Sequence, residues 1–218
     1  QFISIISGVF VCALIYWRNA PLDIFHYDLL SLSSQNLSFS LRIDRTSALF
    51  VLMTCLLGGI VGSFASRYLH RDPGFFRFFI LYHLFLIGVH SIFQGAGLPT
   101  VYIGWELIGI TSALLISFFA FRRQSVANSL RAFWAYRITD TGILIATLLA
   151  MHDGVDQFGS VYQNASFIIP LACLLSAIGK SAQFPFGYWL PRAMEGPTPS
   201  SAIFYGGLSV HAGMYLMM

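Results

Sequence analysis

Long apolar runs recur along the whole chain, and they constrain its fold more than any other feature. Each run is near the roughly 20 residues that an α-helix needs to cross the hydrocarbon core of a bilayer. Seven such segments can be drawn, at about 2–17, 46–66, 76–97, 99–121, 127–151, 166–191 and 198–218. Only 10% of the 218 residues are charged, against about a quarter in soluble domains. We therefore predict an all-α polytopic membrane protein with about seven transmembrane helices in a lipid bilayer.

The composition and the missing motifs exclude several functions. The net charge is only +3 and no basic run is interleaved with aromatic residues, so nucleic-acid binding is not expected. The cysteines Cys12, Cys55 and Cys173 lie inside apolar runs without metal-ligand spacing, so neither a metal site nor a disulfide framework is expected. The chain has no nucleotide-binding, haem or iron–sulfur motif, so we expect no cofactor. Any energy that it uses must come from an ion gradient or from a neighbouring subunit.

The arginines between the apolar runs predict the orientation. The short connections on one side hold Arg67, Arg71, Arg77, Arg122, Arg123 and Arg192. The connections at 97–99 and 152–165 hold no Lys or Arg, and the second contains Asp153 and Asp156. By the positive-inside rule the Arg-rich side faces the cytoplasm, or the matrix in a mitochondrion, and a bacterial inner membrane is the expected location. The longer connection, 18–45, is rich in Ser and Asn and is predicted to be an external surface loop.

Lys180 is the one lysine among the twelve Lys and Arg residues, and it follows the apolar run Ile168–Gly179 inside the sixth predicted span. An ionised side chain at the bilayer centre costs about 3 kcal/mol on insertion scales. A desolvated lysine can release its proton, whereas an arginine cannot. We therefore predict that Lys180 carries protons. The alternative is a lysine that reaches back to the membrane surface from a helix end, which Pro185 and Pro191 would allow.

Two acidic residues lie at comparable depth in neighbouring spans. Glu106 is about seven residues into the fourth span and has no basic residue near it on that helix, so we expect Lys180 to be its partner. Asp140 lies near the middle of the fifth span, three residues after Arg137, and this spacing lets the two pair on one helix face. The alternatives are a neutral, hydrogen-bonded Glu106 and an Arg137–Asp140 pair that only supports the structure.

The last two spans carry the other candidate groups. Pro185 lacks an N–H group, so the sixth span is predicted to break after Lys180 and to admit water. In the seventh span Ser201, Tyr205 and Ser209 follow one another at i, i+4 spacing and should form one polar stripe. His211 points about 120° away from Tyr205 on a continuous helix. Histidine titrates near neutrality, so His211 is a candidate proton relay, or else a hydrogen-bonded packing group.

Four motifs resemble one family of membrane proteins. They are GWELIG at 104–109, YRITD at 136–140, GKSAQFP at 179–185 and WLPRAMEGPTP at 189–199. In this order they resemble the antiporter-like subunits of respiratory complex I, nearest to the L/chain-5 type, which the large subunit of Mrp sodium–proton antiporters shares. The resemblance runs from about residue 44 to the end of the chain.

The resemblance implies a role for each of the central residues. Glu106, Lys180 and Asp140, with Arg137 beside the last, would belong to a proton-transfer chain in a non-redox membrane subunit of a larger complex. The family fold has two inverted five-helix repeats, so 75–218 would be the first repeat and 1–74 the N-terminal transmembrane helices. Because both ends fall inside apolar runs, we expect a piece of a longer protein whose second repeat follows.

One departure from the family pattern concerns the seventh span. After GPTP, the position of the usual histidine is Tyr205, and a histidine follows six residues later as His211. Such departures resemble the diverged L-like subunits of the DAB inorganic-carbon system. Three functions therefore stay open: proton translocation in an NADH:quinone oxidoreductase-like complex, coupling to bicarbonate or carbon dioxide uptake, and Mrp-type sodium–proton exchange. A purely structural membrane scaffold is the alternative from another class.

Overall fold

The computed structural model describes residues 2–18, 20–32, 35–153, 167–205 and 207–218. Helices dominate this part of the chain, and one β-hairpin interrupts them. In chain order the elements are α1 (Phe2–Arg18), β1 (Leu22–Leu32), β2 (Gln35–Ile43), α2 (Arg45–Tyr68), α3 (Phe75–Phe93), α4 (Leu98–Ile116), α5 (Arg123–His152), α6 (Ile168–Lys180), two 3₁₀ turns (Phe186–Trp189 and Pro191–Glu195), α7 (Thr198–Tyr205) and α8 (Ser209–Leu216).

Three of the described helices are long and apolar enough to cross a membrane, namely α2, α3 and α4. Helices α1 and α6 are apolar but shorter. Helix α5 has 30 residues, about 45 Å at 1.5 Å per residue, but Arg131, Arg137 and Asp140 lower its hydropathy. The prediction of an all-α membrane protein is confirmed in part: the described residues are mostly helical and include three candidate membrane helices. The β-hairpin departs from an all-α fold, and the number of seven spans stays a prediction.

The outer faces of the helices are apolar, while the interior contains aromatic residues and small polar groups. Phe76, Trp134 and Leu148 have exposed fractions of 79%, 62% and 58%, an arrangement that marks a membrane-facing surface. Between α3 and α4 the backbones approach closely, since a Cβ on Gly104 would lie 2.6 Å from the carbonyl oxygen of Gly88. Close backbone contact through small residues is the usual way in which helices pack in lipid.

The connection predicted as a loop at 18–45 is folded as a β-hairpin. Strands β1 and β2 are antiparallel, and their register runs from Leu22 opposite Ile43 to Leu32 opposite Gln35. Apolar and polar residues alternate in β2, as in the sequence LSFSLRI, and this period of two is typical of a strand. The sequence analysis did not predict these strands, because it considered the Ser and Asn content and not that alternation. The external side of this connection stays a prediction.

The hairpin is attached to the connection between α3 and α4. The Arg42 N–H donates to the Gln94 carbonyl at 2.7 Å, and the Ala96 N–H donates to the Ser40 carbonyl at 3.0 Å. The Ser40 N–H also donates to Thr100 Oγ1 at 2.9 Å. These bonds hold the hairpin over one end of the bundle. At the start of α2, Asp44 and Ser47 form a reciprocal capping box that turns the chain into the membrane.

The sixth predicted span breaks at the expected position. The seventh also breaks, although no break was predicted there. Helix α6 ends at Lys180 and two 3₁₀ turns follow it, as the position of Pro185 predicts. The single helix predicted over 198–218 is instead two short helices, because α7 ends at Tyr205 and α8 begins at Ser209. The intervening GG pair favours a helix end. The i, i+4 stripe through Tyr205 and Ser209 was therefore wrong.

Candidate functional site

Helices α4, α5 and α6 bring four charged side chains into one row. The Glu106 carboxylate pairs with the Arg137 guanidinium. Arg137 Nη2 also lies 3.3 Å from Asp140 Oδ2, and that same oxygen is 3.5 Å from Lys180 Nζ. We call Glu106, Arg137, Asp140 and Lys180 the charged row. Acid and base alternate along it, so its formal charge is zero when all four side chains are ionised.

The partners within the charged row differ in part from the sequence expectation. The Arg137–Asp140 pair is confirmed. The expected Glu106–Lys180 pair was wrong, because Arg137 lies between them and takes the Glu106 carboxylate. Sequence spacing shows which residues share a face of α5, but it does not show how α5 is rotated against α4. The side chain of Arg137 reaches α4, while Lys180 approaches Asp140 from α6.

Lys180 occupies a closed site made of one carboxylate, one carbonyl and two aromatic rings. Its side chain is fully buried. Nζ donates to the Trp105 carbonyl at 3.3 Å and lies 4.4 Å from the ring centroid of Tyr136 and 5.1 Å from that of Trp105. Aromatic faces attract cations, and the C-terminal end of α6 also favours positive charge at Lys180. The site therefore offers an ammonium group a carboxylate, a carbonyl and two aromatic faces.

Asp140 is held from three sides. Besides its two cations, its Oδ1 accepts a hydrogen bond of 2.7 Å from the indole Nε1 of Trp105. Its side chain is only 2% exposed. Because Oδ2 is shared between Arg137 and Lys180 at nearly equal distances, a small movement of the carboxylate would favour one cation over the other. Asp140 thus connects the Arg137 side of the charged row to Lys180.

The two halves of the charged row differ in exposure. The side chains of Arg137 and Glu106 are 29% and 21% exposed, whereas Asp140 and Lys180 are buried. The Arg137 guanidinium lies over the Phe133 ring at 5.2 Å. Among the described residues its Nε has no hydrogen-bond partner although it is buried. The row therefore connects a partly accessible acid to a fully enclosed lysine.

The structure adds residues that the sequence argument did not single out. A Cβ on Gly109 would lie 3.3 Å from Arg137 Nη2, 3.5 Å from Lys180 Nζ and 3.6 Å from Asp140 Oδ2. Gly109 therefore keeps a space open at the centre of the charged row. Its position three residues after Glu106 on α4 is the one sequence signal that could have indicated this. Trp105 lies beside Glu106 in the chain, yet its two contacts depend on the packing of all three helices.

The other two candidate relay residues lie in the last two helices. Tyr205 is the last residue of α7, and its side chain lies outside the described residues. His211 is in α8, and its buried Nδ1 has no hydrogen-bond partner in the described part of the chain. Helix α8 packs on α6, where a Cβ on Gly213 would lie 2.7 Å from the Ala177 carbonyl. The relay roles of Tyr205 and His211 stay predictions.

Metal ligands are not grouped in the described residues, where no three His, Cys, Asp or Glu side chains could hold one ion together. The fold and the charged row instead define a class: membrane proteins that keep ionisable side chains inside a helix bundle. Two family models match the chain. One is the NADH:quinone oxidoreductase/Mrp antiporter transmembrane family over residues 95–218, and the other is the complex I chain 5 N-terminus over residues 29–79. The chain belongs to the NADH:quinone oxidoreductase/Mrp antiporter family, and the sequence resemblance is confirmed.

Individual relatives agree with the family. The chain is 33% identical over 218 residues to NADH-ubiquinone oxidoreductase chain 5 of Rattus norvegicus, covering 99% of this chain and 36% of that one. It is 32% identical over 194 residues to the chloroplastic NAD(P)H-quinone oxidoreductase subunit 5 of Lemna minor, covering 84% and 26%. The chain thus spans between about a quarter and just over a third of these relatives, and it is similar to part of an integral membrane protein.

Solved structures share the fold. The Mrp complex from Dietzia sp. DQ12-45-1b contains a chain that matches with a TM-score of 0.79 at 24% identity, covering 96% of this chain and 24% of that one. A chain of the membrane-bound sulfane sulfur reductase, an archaeal respiratory membrane complex, matches with a TM-score of 0.81 at 17% identity, covering 99% and 45%. At these identities the likeness establishes the fold alone.

Proposed function

We propose that the chain is the proton-translocating part of an antiporter-like subunit in a larger membrane complex. The observation that carries this proposal is the charged row, which runs from partly exposed Glu106 through Arg137 and Asp140 to fully buried Lys180. Ionisable groups inside a membrane are rare and mark proton or ion pathways. A scaffold could be held together by apolar packing alone, without the cost of burying four charges.

The central step of the proposed mechanism is a change of partner by Asp140. While Asp140 lies against Lys180, the ammonium ion is neutralised and keeps its proton. When Asp140 moves toward Arg137, Lys180 is left as an unpaired cation in a buried site, which favours loss of its proton. Arg137 stays charged throughout because a guanidinium does not lose its proton. One fixed cation and one releasable cation compete for a single carboxylate.

Glu106 and His211 are the proposed groups on either side of this step. Glu106 lies at the more exposed end of the charged row and exchanges protons with water or with a neighbouring subunit. His211 lies on α8, which packs on α6, and receives the proton from Lys180 through water. A tyrosine such as Tyr205 can hydrogen-bond but does not take up a proton near pH 7, so His211 is the proposed acceptor.

The proposal extends to the organisation of the chain, its membrane and its partners. Residues 75–218 form the first repeat and 1–74 the N-terminal membrane helices, with further membrane subunits as partners. The membrane is the bacterial inner membrane, with the Arg-rich connections in the cytoplasm. Coupling to quinone chemistry is the first candidate, because the rat and duckweed relatives are named for it. Sodium exchange and bicarbonate or carbon dioxide uptake are measured as alternative outcomes.

The test compares the two glutamates of the chain in the full-length protein within its native complex. Glu106→Gln keeps shape but cannot bind Arg137 as a charge, so we expect proton uptake into vesicles to fall at least tenfold per assembled complex. Glu195→Gln is the matched control, since Glu195 lies in the second 3₁₀ turn outside the charged row, and it should transport normally. Normal transport by Glu106→Gln would contradict the proposal. Parallel assays with sodium and with labelled bicarbonate identify the coupled ion.

A further inference from the structure

A single buried hydroxyl from α6 bridges two backbone groups of α5. The Ile143 N–H donates to Ser176 Oγ at 2.7 Å, and the Ser176 hydroxyl donates to the Thr139 carbonyl at 2.7 Å. In an α-helix the N–H of one residue and the carbonyl four residues earlier bond to each other. Thr139 and Ile143 are such a pair. The Ser176 oxygen therefore lies beside one backbone N–H and carbonyl pair of α5 and bonds to both groups.

This bridge is next to the buried ion pair. Thr139 immediately precedes Asp140, so the bridged carbonyl belongs to the peptide group that leads into the carboxylate-bearing residue. On α6, Lys180 follows Ser176 by four residues and shares its face. The two helices thus meet through two neighbouring polar contacts, Ser176 on the backbone of α5 and Lys180 on Asp140.

Glycines on both helices bring the backbones close enough for this bridge. A Cβ on Gly142 would overlap the Ala172 carbonyl oxygen and lie 2.8 Å from Ser176 Oγ. A Cβ on Gly179 would overlap the Thr139 side chain. These close contacts set the separation of the two helices. The Ser176 hydroxyl adds a preference for one position along the helix axis, because a shift of one residue, about 1.5 Å, would disrupt its pair of hydrogen bonds.

We propose that Ser176 is a positioning residue whose hydroxyl fixes the register of α6 on α5, and thereby sets the distance between the Asp140 carboxylate and the Lys180 ammonium. The inference rests on the proposed function, because it assigns Ser176 a part in the same proton transfer. Ser176 touches neither charged group in the observed hydrogen bonds and acts through the two helices that carry them. The Asp140 carboxylate also faces Arg137 on its own helix and Glu106 on α4, and Tyr136 flanks the ammonium.

The test replaces the hydroxyl and follows transport as a function of pH. Ser176→Ala removes the bridge, and Ser176→Cys keeps the shape with a somewhat larger and much weaker hydrogen-bonding group. At an effective dielectric constant of about 20, lengthening the pair by 1 Å from 3.5 Å weakens its attraction by the equivalent of about 0.8 pH unit. With a weaker attraction, the state in which Asp140 and Lys180 are both ionised covers a smaller range of pH, because it is lost earlier on acidification and earlier on alkalinisation. We expect each limit of the pH range of proton uptake by the assembled full-length complex to move inward by about that amount.

Ser129→Ala is the matched control. Ser129 is also buried, and its hydroxyl crosses from α5 to the Ala113 carbonyl of α4 at 2.6 Å, but it lies eleven residues before Asp140. Loss of an interhelical hydroxyl bond by itself would affect both variants alike. We expect Ser129→Ala to keep the wild-type pH profile, even where its thermal stability falls, while both Ser176 variants change it.

Three results would overturn the inference. The first is a wild-type pH profile and rate in assembled Ser176→Ala. The second is loss of assembly in both Ser176 variants, which would make Ser176 a folding residue. The third is normal transport by Glu106→Gln and Lys180→Met, which would remove the proposed function itself. Loss of transport in those two variants beside an unchanged Ser176→Ala profile would contradict only the positioning role.

Discussion

Replacing Lys180 separates a proton carrier from a structural cation. Lys180→Met removes the titratable group but does not leave Asp140 alone, because Arg137 remains 3.3 Å away and the Trp105 indole 2.7 Å away. The pair that is lost is worth about 5 kcal/mol at its 3.5 Å separation and an effective dielectric constant of about 20, before desolvation is subtracted. We expect assembled protein with proton uptake at background level, at least about a hundredfold below wild type.

Lys180→Arg keeps the positive charge but reduces the ability of the side chain to release its proton. The reference pKa of arginine exceeds that of lysine by about 2–3 units, which makes deprotonation about 3–5 kcal/mol more costly in the same site. The deprotonated fraction, and with it the rate of a relay that passes through this state, should fall at least about a hundredfold. A structural role predicts the opposite order, with arginine tolerated beside Asp140 and methionine destabilising.

The assay is proton uptake into vesicles that contain the full-length protein in its complex, normalised to assembled protein. Arg131→Met is the matched control, because it removes an exposed cation of α5 that donates to Asn128 at 3.2 Å and lies outside the charged row. It should transport at the wild-type rate. If Lys180→Arg also transports at that rate, Lys180 does not carry the proton and the reasoning from its chemistry is refuted.

Three further predictions test the packing and the orientation. Gly109→Ala places a methyl group 3.3–3.6 Å from three side chains of the charged row, so proton uptake should fall several-fold with assembly intact. The control Gly58→Ala meets only one flexible leucine tip, at 3.2 Å, and should transport normally. Equal transport rates in the two variants would contradict this prediction. Gly142→Ala overlaps a carbonyl of α6 and should destabilise the α5–α6 pair by roughly 1–3 kcal/mol, seen as a lower Tm in detergent, and an unchanged Tm would refute the close approach. A cysteine at 123 should react with a membrane-impermeant reagent from the cytoplasmic side and one at 153 from the other side, and labelling of both from one side would show that α5 does not cross.

Much of the site could be predicted from the sequence, because a charged residue inside an apolar segment is costly and therefore uncommon. Lys180 is a lone lysine inside an apolar run, and the cost of its burial alone predicts a functional role for it. The Arg137–Asp140 pair follows from three-residue spacing on a helix. The break after Lys180 follows from Pro185. In each case the physical cause acts within one helix, where the sequence determines the geometry.

Contacts between helices were not accessible in the same way. Arg137 takes the Glu106 carboxylate because of the rotation of α5 against α4, and a single sequence does not specify that rotation. The bridge by Ser176 depends on the antiparallel register of α5 and α6. The hairpin is a different case, because the alternation in β2 was present in the sequence and a composition rich in Ser and Asn outweighed it.

Charge balance explains why the charged row contains one arginine and one lysine. With all four side chains ionised the row is neutral, the least costly state for buried charges. Loss of the Lys180 proton leaves a net charge of −1, which Arg137 limits because it stays positive beside both acids. With two lysines either cation could release the proton, and with two arginines neither could. In the proposed function, the buried position of Lys180 and the partly exposed position of Arg137 place the releasable proton at the buried end of the charged row, and movement of Asp140 is the proposed step that couples to its release.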